Sequence, residues 1–172
     1  MHRREVFEME RVYDVAQYIF DEYNRISGQP IDEMKLQKLL YFTQRESLAV
    51  LGKPMFKAEF EGWRYGPVCR DVRSAYTSKG LNVECHDVTF DNAYIIKNVV
   101  AEYGIIESWE LSNMSHKEIS WQNSRDGMSD NDSGSVLLKL SDIRKDASKV
   151  RPYDHLWDMY YDEFDDVESI VQ

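Results

Sequence analysis

Between residues 34 and 51 the apolar side chains are spread over more than one side of a helix: Met34, Leu36, Leu39, Leu40, Tyr41, Phe42, Leu48, Val50 and Leu51. A surface helix buries a single stripe, whereas one that is apolar over several faces has to be surrounded. This stretch therefore predicts a long central helix on which the rest of the chain packs. Its ends are marked. Asp32 can accept hydrogen bonds from the exposed amides of the first turn, and Gly52 and Pro54 stop it. Upstream, Val12, Val15, Ala16, Ile19, Tyr23 and Ile26 form one stripe at helical spacing, which predicts an amphipathic helix over 12–26 closed by Ser27, Gly28 and Pro30.

After the central helix the period changes. Phe56, Ala58, Phe60 and Trp63 alternate with Lys57, Glu59 and Glu61, the pattern of a short half-buried strand within 55–65. Gly66-Pro67 punctuates, and proline suits a first helical turn, so a third helix is expected from Pro67 to about Gly80. Residues 82–90 read as another strand. Ile96, Val99, Val100 and Tyr103 mark a helix over 92–103, with short helices expected at 107–113 and 116–124. A capping box, Ser115 to Glu118, opens the last of these. Small polar residues at 127–135 suggest a mobile loop, and 136–149 fits a strand or a short helix. From 154 the pattern is again that of an amphipathic helix. The expected fold is α+β and mainly α: a compact helical domain with a small antiparallel β element. Its 172 residues suit one domain over 1–151 with an acidic aromatic tail, 152–172, packed on it or extending from it.

Charge narrows the function. The formal net charge is -10, but seven acids and no Lys or Arg follow Arg151, which leaves only -3 over residues 1–151. Phosphate backbones are held by basic surfaces, so nucleic acid is disfavoured as a partner. Acidic tails keep chains soluble or meet basic partners. Two cysteines give no disulfide framework, the N-terminus has no signal-peptide pattern, and no apolar run is long enough to span a membrane. A cytoplasmic protein is expected.

Chemistry-bearing motifs are sparse. No Gly-rich phosphate loop, nucleophile elbow or H-E-x-x-H pair occurs. Cys69, Cys85 and His86 could gather in space but lack the paired spacing of zinc ligands, and the cysteines read as buried thiols. The run Asp130 to Gly134 looks like the opening of a calcium loop, yet Ser141 stands where the bidentate Glu is needed. No metal, no cofactor and no catalytic constellation is expected. His116 has the titration range for acid–base work, but a role in holding its turn fits better. Trp63 and Tyr65, beside Gly66-Pro67, are either a binding platform or a corner locking strand to helix. The tail rings either dock on the domain or bind a basic surface elsewhere.

Three segments carry a family resemblance: Met34 to Phe42 (MKLQKLLYF), Phe60 to Val68 (FEGWRYGPV), and Leu111 to Trp121 (LSNMSHKEISW). Together, in this order, they resemble the Panacea antitoxin domain, also called SocA-like, over about residues 10–145. Two departures stand out: Ser120 lies where proline commonly precedes the tryptophan, and Ser115 replaces a frequent threonine. The resemblance implies a mostly helical domain with a small sheet, encoded beside a toxin gene, often in prophages, and neutralising that toxin by direct binding. It carries over no catalytic residues, and no enzyme is expected. Candidate partner contacts are Trp63, Tyr65, His116 and Trp121, with Tyr160, Tyr161 and Phe164 on the tail for partner specificity. The alternatives are a proteolytic adaptor that delivers a bound protein to a protease, and a small hydrolase or transferase built on His116.

Overall fold

The helix from Glu33 to Leu51, α2, is the axis of the molecule. It belongs to a computed structural model that describes residues 9–150. Asp32 caps it as the sequence predicts, accepting from the Lys35 amide at 2.8 Å, and Gly52 ends it with its N–H on the Leu48 carbonyl. From Lys35 to Leu48 every residue is buried. Polar groups so enclosed need partners, and several are found on the surrounding segments. Lys35 donates to the Gly104 carbonyl. Gln37 brackets the Cys69 amide and carbonyl. Gln44 does the same for Met55 and Phe56, and Ser47 donates to the Lys53 carbonyl.

Around this axis pack α1 (Val12–Ser27), α4 (Phe90–Tyr103), α5 (Ser108–Ser115) and α7 (Leu140–Ser148), all in contact with α2. Their apolar faces meet in one cluster that includes Val15, Ile19, Leu36, Leu40, Phe42, Phe56, Ile96 and Val99. The helix expected at 12–26 and the one at 92–103 thus form, the second beginning two residues earlier. The fold is mainly α with two small antiparallel sheets of two strands each among the described residues, in line with the expected class.

Four local expectations need correcting. First, Gly66–Val68 is a strand (β2), not the start of a helix. It pairs antiparallel with β1, Glu61–Trp63, and the next helix, α3, covers only Arg70–Ala75. Proline fits at a sheet edge because no ladder bond needs its N–H. Tyr76–Thr77 and Gly80–Leu81 then form a second small hairpin, β3–β4, instead of prolonging that helix. Second, 82–90 is no strand. Its amides are taken by carboxylates: His86 donates to Asp14 and Thr89 to Glu10. Third, the capping box does not form. Ser115 closes α5, its hydroxyl donating back to the Ser112 carbonyl, and α6 (Ile119–Ser124) is capped from outside by Asp146 of α7, which accepts from the Ile119 and Ser120 amides at 2.7 and 2.9 Å. Fourth, the polar stretch 127–135 is wound round one cation. Arg125 donates to the carbonyls of Gly62, Ser129, Asp132 and Ser133. Of the two readings for 136–149, the helix holds from Leu140, while Leu137 bridges antiparallel to Glu61. The helix expected from 154 lies outside the described residues.

Candidate functional site

The β1–β2 hairpin turns on two residues, Arg64 and Tyr65, between the paired Trp63 and Gly66. So tight a turn exposes the side chains at its tip, and Tyr65 is 54% exposed. Gly66 is required there for two reasons. Its φ of 117° lies outside what L side chains ordinarily adopt, and a Cβ would run into the Lys38 side chain and the Ser115 hydroxyl. Gly62 is required by space alone, since a Cβ would meet the Ser124 hydroxyl. The G-W-R-Y-G-P-V sequence therefore encodes close packing of a hairpin on α2, α5 and α6.

Side chains from several elements fix the hairpin. Trp121 donates its indole N–H to the Trp63 carbonyl at 2.8 Å. Ser112 donates to the Tyr65 carbonyl at 2.6 Å, and Lys38 to the Pro67 carbonyl at 3.2 Å. Arg64 donates its amide to the Ser133 carbonyl and its guanidinium to the Asn131 side chain. Rings and cations alternate across the face. His116 stacks on Trp121, centroids 4.1 Å apart, and Arg125 lies 5.3 Å from that indole. Arg64 lies over Tyr65, and Arg70 and Arg73 lie 5.3 and 5.0 Å from the Trp63 ring.

Beside the hairpin opens a groove of about 490 Å³, walled by Met34, Trp63, Tyr65 and Val68, with Asn131 and Ser133 closing one side. Its charged lining is Lys38, Arg64 and Arg73 against the single carboxylate of Glu33, which Arg73 already engages at 2.7 Å. Lys38 is 1% exposed. Burial, only partly offset by Asp32 and Glu33, brings its pKa down to about 7. Burial and then the Lys38 charge hold His116 below its ordinary value, which favours the neutral imidazole at physiological pH. Its Nε2 is buried without a hydrogen-bond partner, and no described ion pair or side-chain hydrogen bond joins it to a carboxylate. A face of this kind can seat aromatic and anionic groups of a partner.

The structure brings four of the expected contact residues onto one face, with different roles. Tyr65 is exposed and Trp63 half-buried, whereas His116 and Trp121 are half-buried supports beneath the hairpin. Of the two readings offered for Trp63 and Tyr65, the locked corner describes the main chain, and the rings form its outer surface. Tyr160, Tyr161 and Phe164 lie outside the described residues. Sequence reasoning missed Lys38, Arg64, Arg73 and Trp109. Lys38 hides inside a motif that reads as core. Trp109, 64% exposed, lies one helical turn before Ser112 on α5, a helix too short to show a face in the sequence. Cys69 is held at α2 through Gln37, while the Cys85 thiol faces the Tyr13 carbonyl of α1. Among the described residues no cluster of His, Cys, Asp and Glu is placed to hold a metal ion, and no helix is long and apolar enough to cross a membrane.

A helical domain whose signature residues build a packed hairpin and an open aromatic face matches a known class. The family model described as "Antitoxin SocA-like, Panacea domain" covers residues 36–122, a span that contains most of α2, the hairpin, α5 and His116 with Trp121. The chain belongs to this SocA-like Panacea family. It is similar to the Antitoxin SocA of Caulobacter vibrioides (strain NA1000 / CB15N), at 39% identity over 51 residues. That match covers 30% of this chain and 27% of the relative, so the chain spans about a quarter of the length of the curated relative it matches. No solved structure matches.

Proposed function

We propose that this chain is an antitoxin that neutralises a cognate protein toxin by direct binding, and that the hairpin face is where the toxin docks. Family membership supports the antitoxin role. The observation that carries the choice of face is the exposed Tyr65 at the tip of a hairpin tied down by Trp121, Ser112 and Lys38. A pre-organised aromatic anchor loses little freedom on binding, and such anchors dominate interface energetics. Trp63 supplies the adjoining wall, and His116 and Trp121 hold both in place. Stable docking would need roughly 1,200–2,000 Å² of total buried surface, so neighbouring residues such as Trp109 and Arg64 would join the contact.

Co-expression with the product of the adjacent gene tests this reading. That product should arrest growth alone, and this chain should restore growth and co-purify with it. A harmless neighbour, or rescue without a complex, contradicts direct neutralisation.

A further inference from the structure

The groove beside the hairpin carries a charge imbalance that nothing else in the described residues answers. Lys38, at its floor, has one carbonyl as hydrogen-bond partner and no carboxylate within ion-pair distance. Arg64, at its rim, donates to an amide oxygen and likewise has no carboxylate partner among the described residues. Arg73 has Glu33. In a chain of net charge -10, this is a local cationic site walled by Met34, Trp63 and Tyr65. Its complement is an acidic segment with aromatic side chains. The sequence contains one: after Arg151 come seven carboxylates, no Lys or Arg, and the rings of Tyr153, Trp157, Tyr160, Tyr161 and Phe164.

We infer that the groove is occupied by this chain's own segment 152–172, with its carboxylates on the exposed Arg64 at the rim and its rings against Trp63 and Tyr65. The path is short enough. Val150 lines a shallow cavity with Leu48 and Ala49 at the far end of α2, and Lys38 lies eleven residues back along the same helix, about 16 Å at 1.5 Å per residue. The 22 residues after Val150 reach about 33 Å as a helix and roughly 70 Å extended. Tethering makes weak contacts sufficient, because a short linker gives an effective concentration of about 1 mM. A segment with a dissociation constant near 0.1 mM would then be seated about nine-tenths of the time. The occupancy itself does not depend on the antitoxin reading, and its test contains no toxin.

The test uses the full chain with Cys85→Ser and Ser169→Cys, a nitroxide on the new thiol, and amide NMR. The amides of Arg64, Tyr65, Asn131 and Ser133 should lose most of their intensity to the spin label. That loss should be relieved by 0.5 M salt and by the rim variant Arg64→Glu, which leaves the core untouched. Neutralising the seven carboxylates to Asn or Gln should relieve it as well. Unattenuated groove amides, or attenuation at a different face, overturn the inference. So does attenuation that survives Arg64→Glu. Mixing spin-labelled chain with isotope-labelled chain that lacks the nitroxide closes the last route: attenuation there assigns the groove to a second copy's tail and overturns the intrachain occupancy.

Discussion

Two sites on α2, one helical turn apart, treat polar groups in opposite ways. Around Tyr41 the polar groups close inward, with Arg45 Nε the one buried atom left without a partner there among the described residues. The Tyr41 hydroxyl meets Ser120 at 2.7 Å, Glu118 at 3.1 Å and Asp146 at 3.2 Å, while Arg45 pairs with Glu118 and Glu46 and donates to Tyr103. Burial raises the pKa of Tyr41 and Glu118, with the Arg45 charge pulling both back down. Around Lys38 the same helix leaves charges and rings unmatched at a groove. The first site joins α2, α6 and α7 into one body. The second presents a surface that body keeps rigid. Buried networks that satisfy themselves act as glue, and unmatched polar groups beside exposed rings are what a partner can use.

Asp146→Ala should have the largest effect. It strips two amides at the start of α6 of their acceptor and removes a partner of the Tyr41 hydroxyl. Leaving buried donors unsatisfied costs roughly 1–3 kcal/mol each, so a loss of about 3 kcal/mol in urea unfolding is expected. A loss under about 1 kcal/mol would show that the Tyr41 site is not the glue described.

Lys38 gives a smaller effect with a definite sign. Its folded pKa of about 7 lies below the ordinary 10.5, so between those values the unfolded chain binds a proton that the folded chain does not. Stability should therefore rise with pH above 7, by at most about 1.4 kcal/mol per pH unit. Below 7 both states are protonated and the burial penalty is constant. Unfolding measured from pH 7 to 9 should show the slope, and Lys38→Met should flatten it. An unchanged slope in the variant would place the titration elsewhere.

The central helix, its caps and the helices around it were legible because apolar periodicity and cap chemistry are local signals. The Tyr41 network was not, because Glu118, Asp146 and Arg45 meet only after α2, α6 and α7 pack. The capping box failed for that reason: a carboxylate 26 residues beyond Ser120 took over the cap. Gly66-Pro67 misled because proline suits a helix start and a sheet edge alike, and only the crowding by Lys38 and Ser115 decides between them. On the hairpin face the rings were readable as residue types, but Lys38 read as one more residue of a core helix.

The smallest expected effect on stability comes from Tyr65→Ala. The hydrogen bond at this position uses the main-chain carbonyl, and the ring is 54% exposed beneath Arg64. Melting should place the variant within about 0.5 kcal/mol of the parent. A larger loss would move Tyr65 from the open surface to the locked corner.

Titration of the parent and of the Tyr65→Ala, Arg64→Glu double variant with the adjacent gene's product puts the hairpin face to the most direct test. Phe90→Ala, at an 86% exposed site on α4, serves as the control. Affinity should fall at least about 100-fold in the double variant, as for a lost anchor of roughly 2.7 kcal/mol, with unfolding unchanged and the control at parental affinity. Parental affinity in the double variant, or an equal loss in the control, would contradict toxin docking at the hairpin.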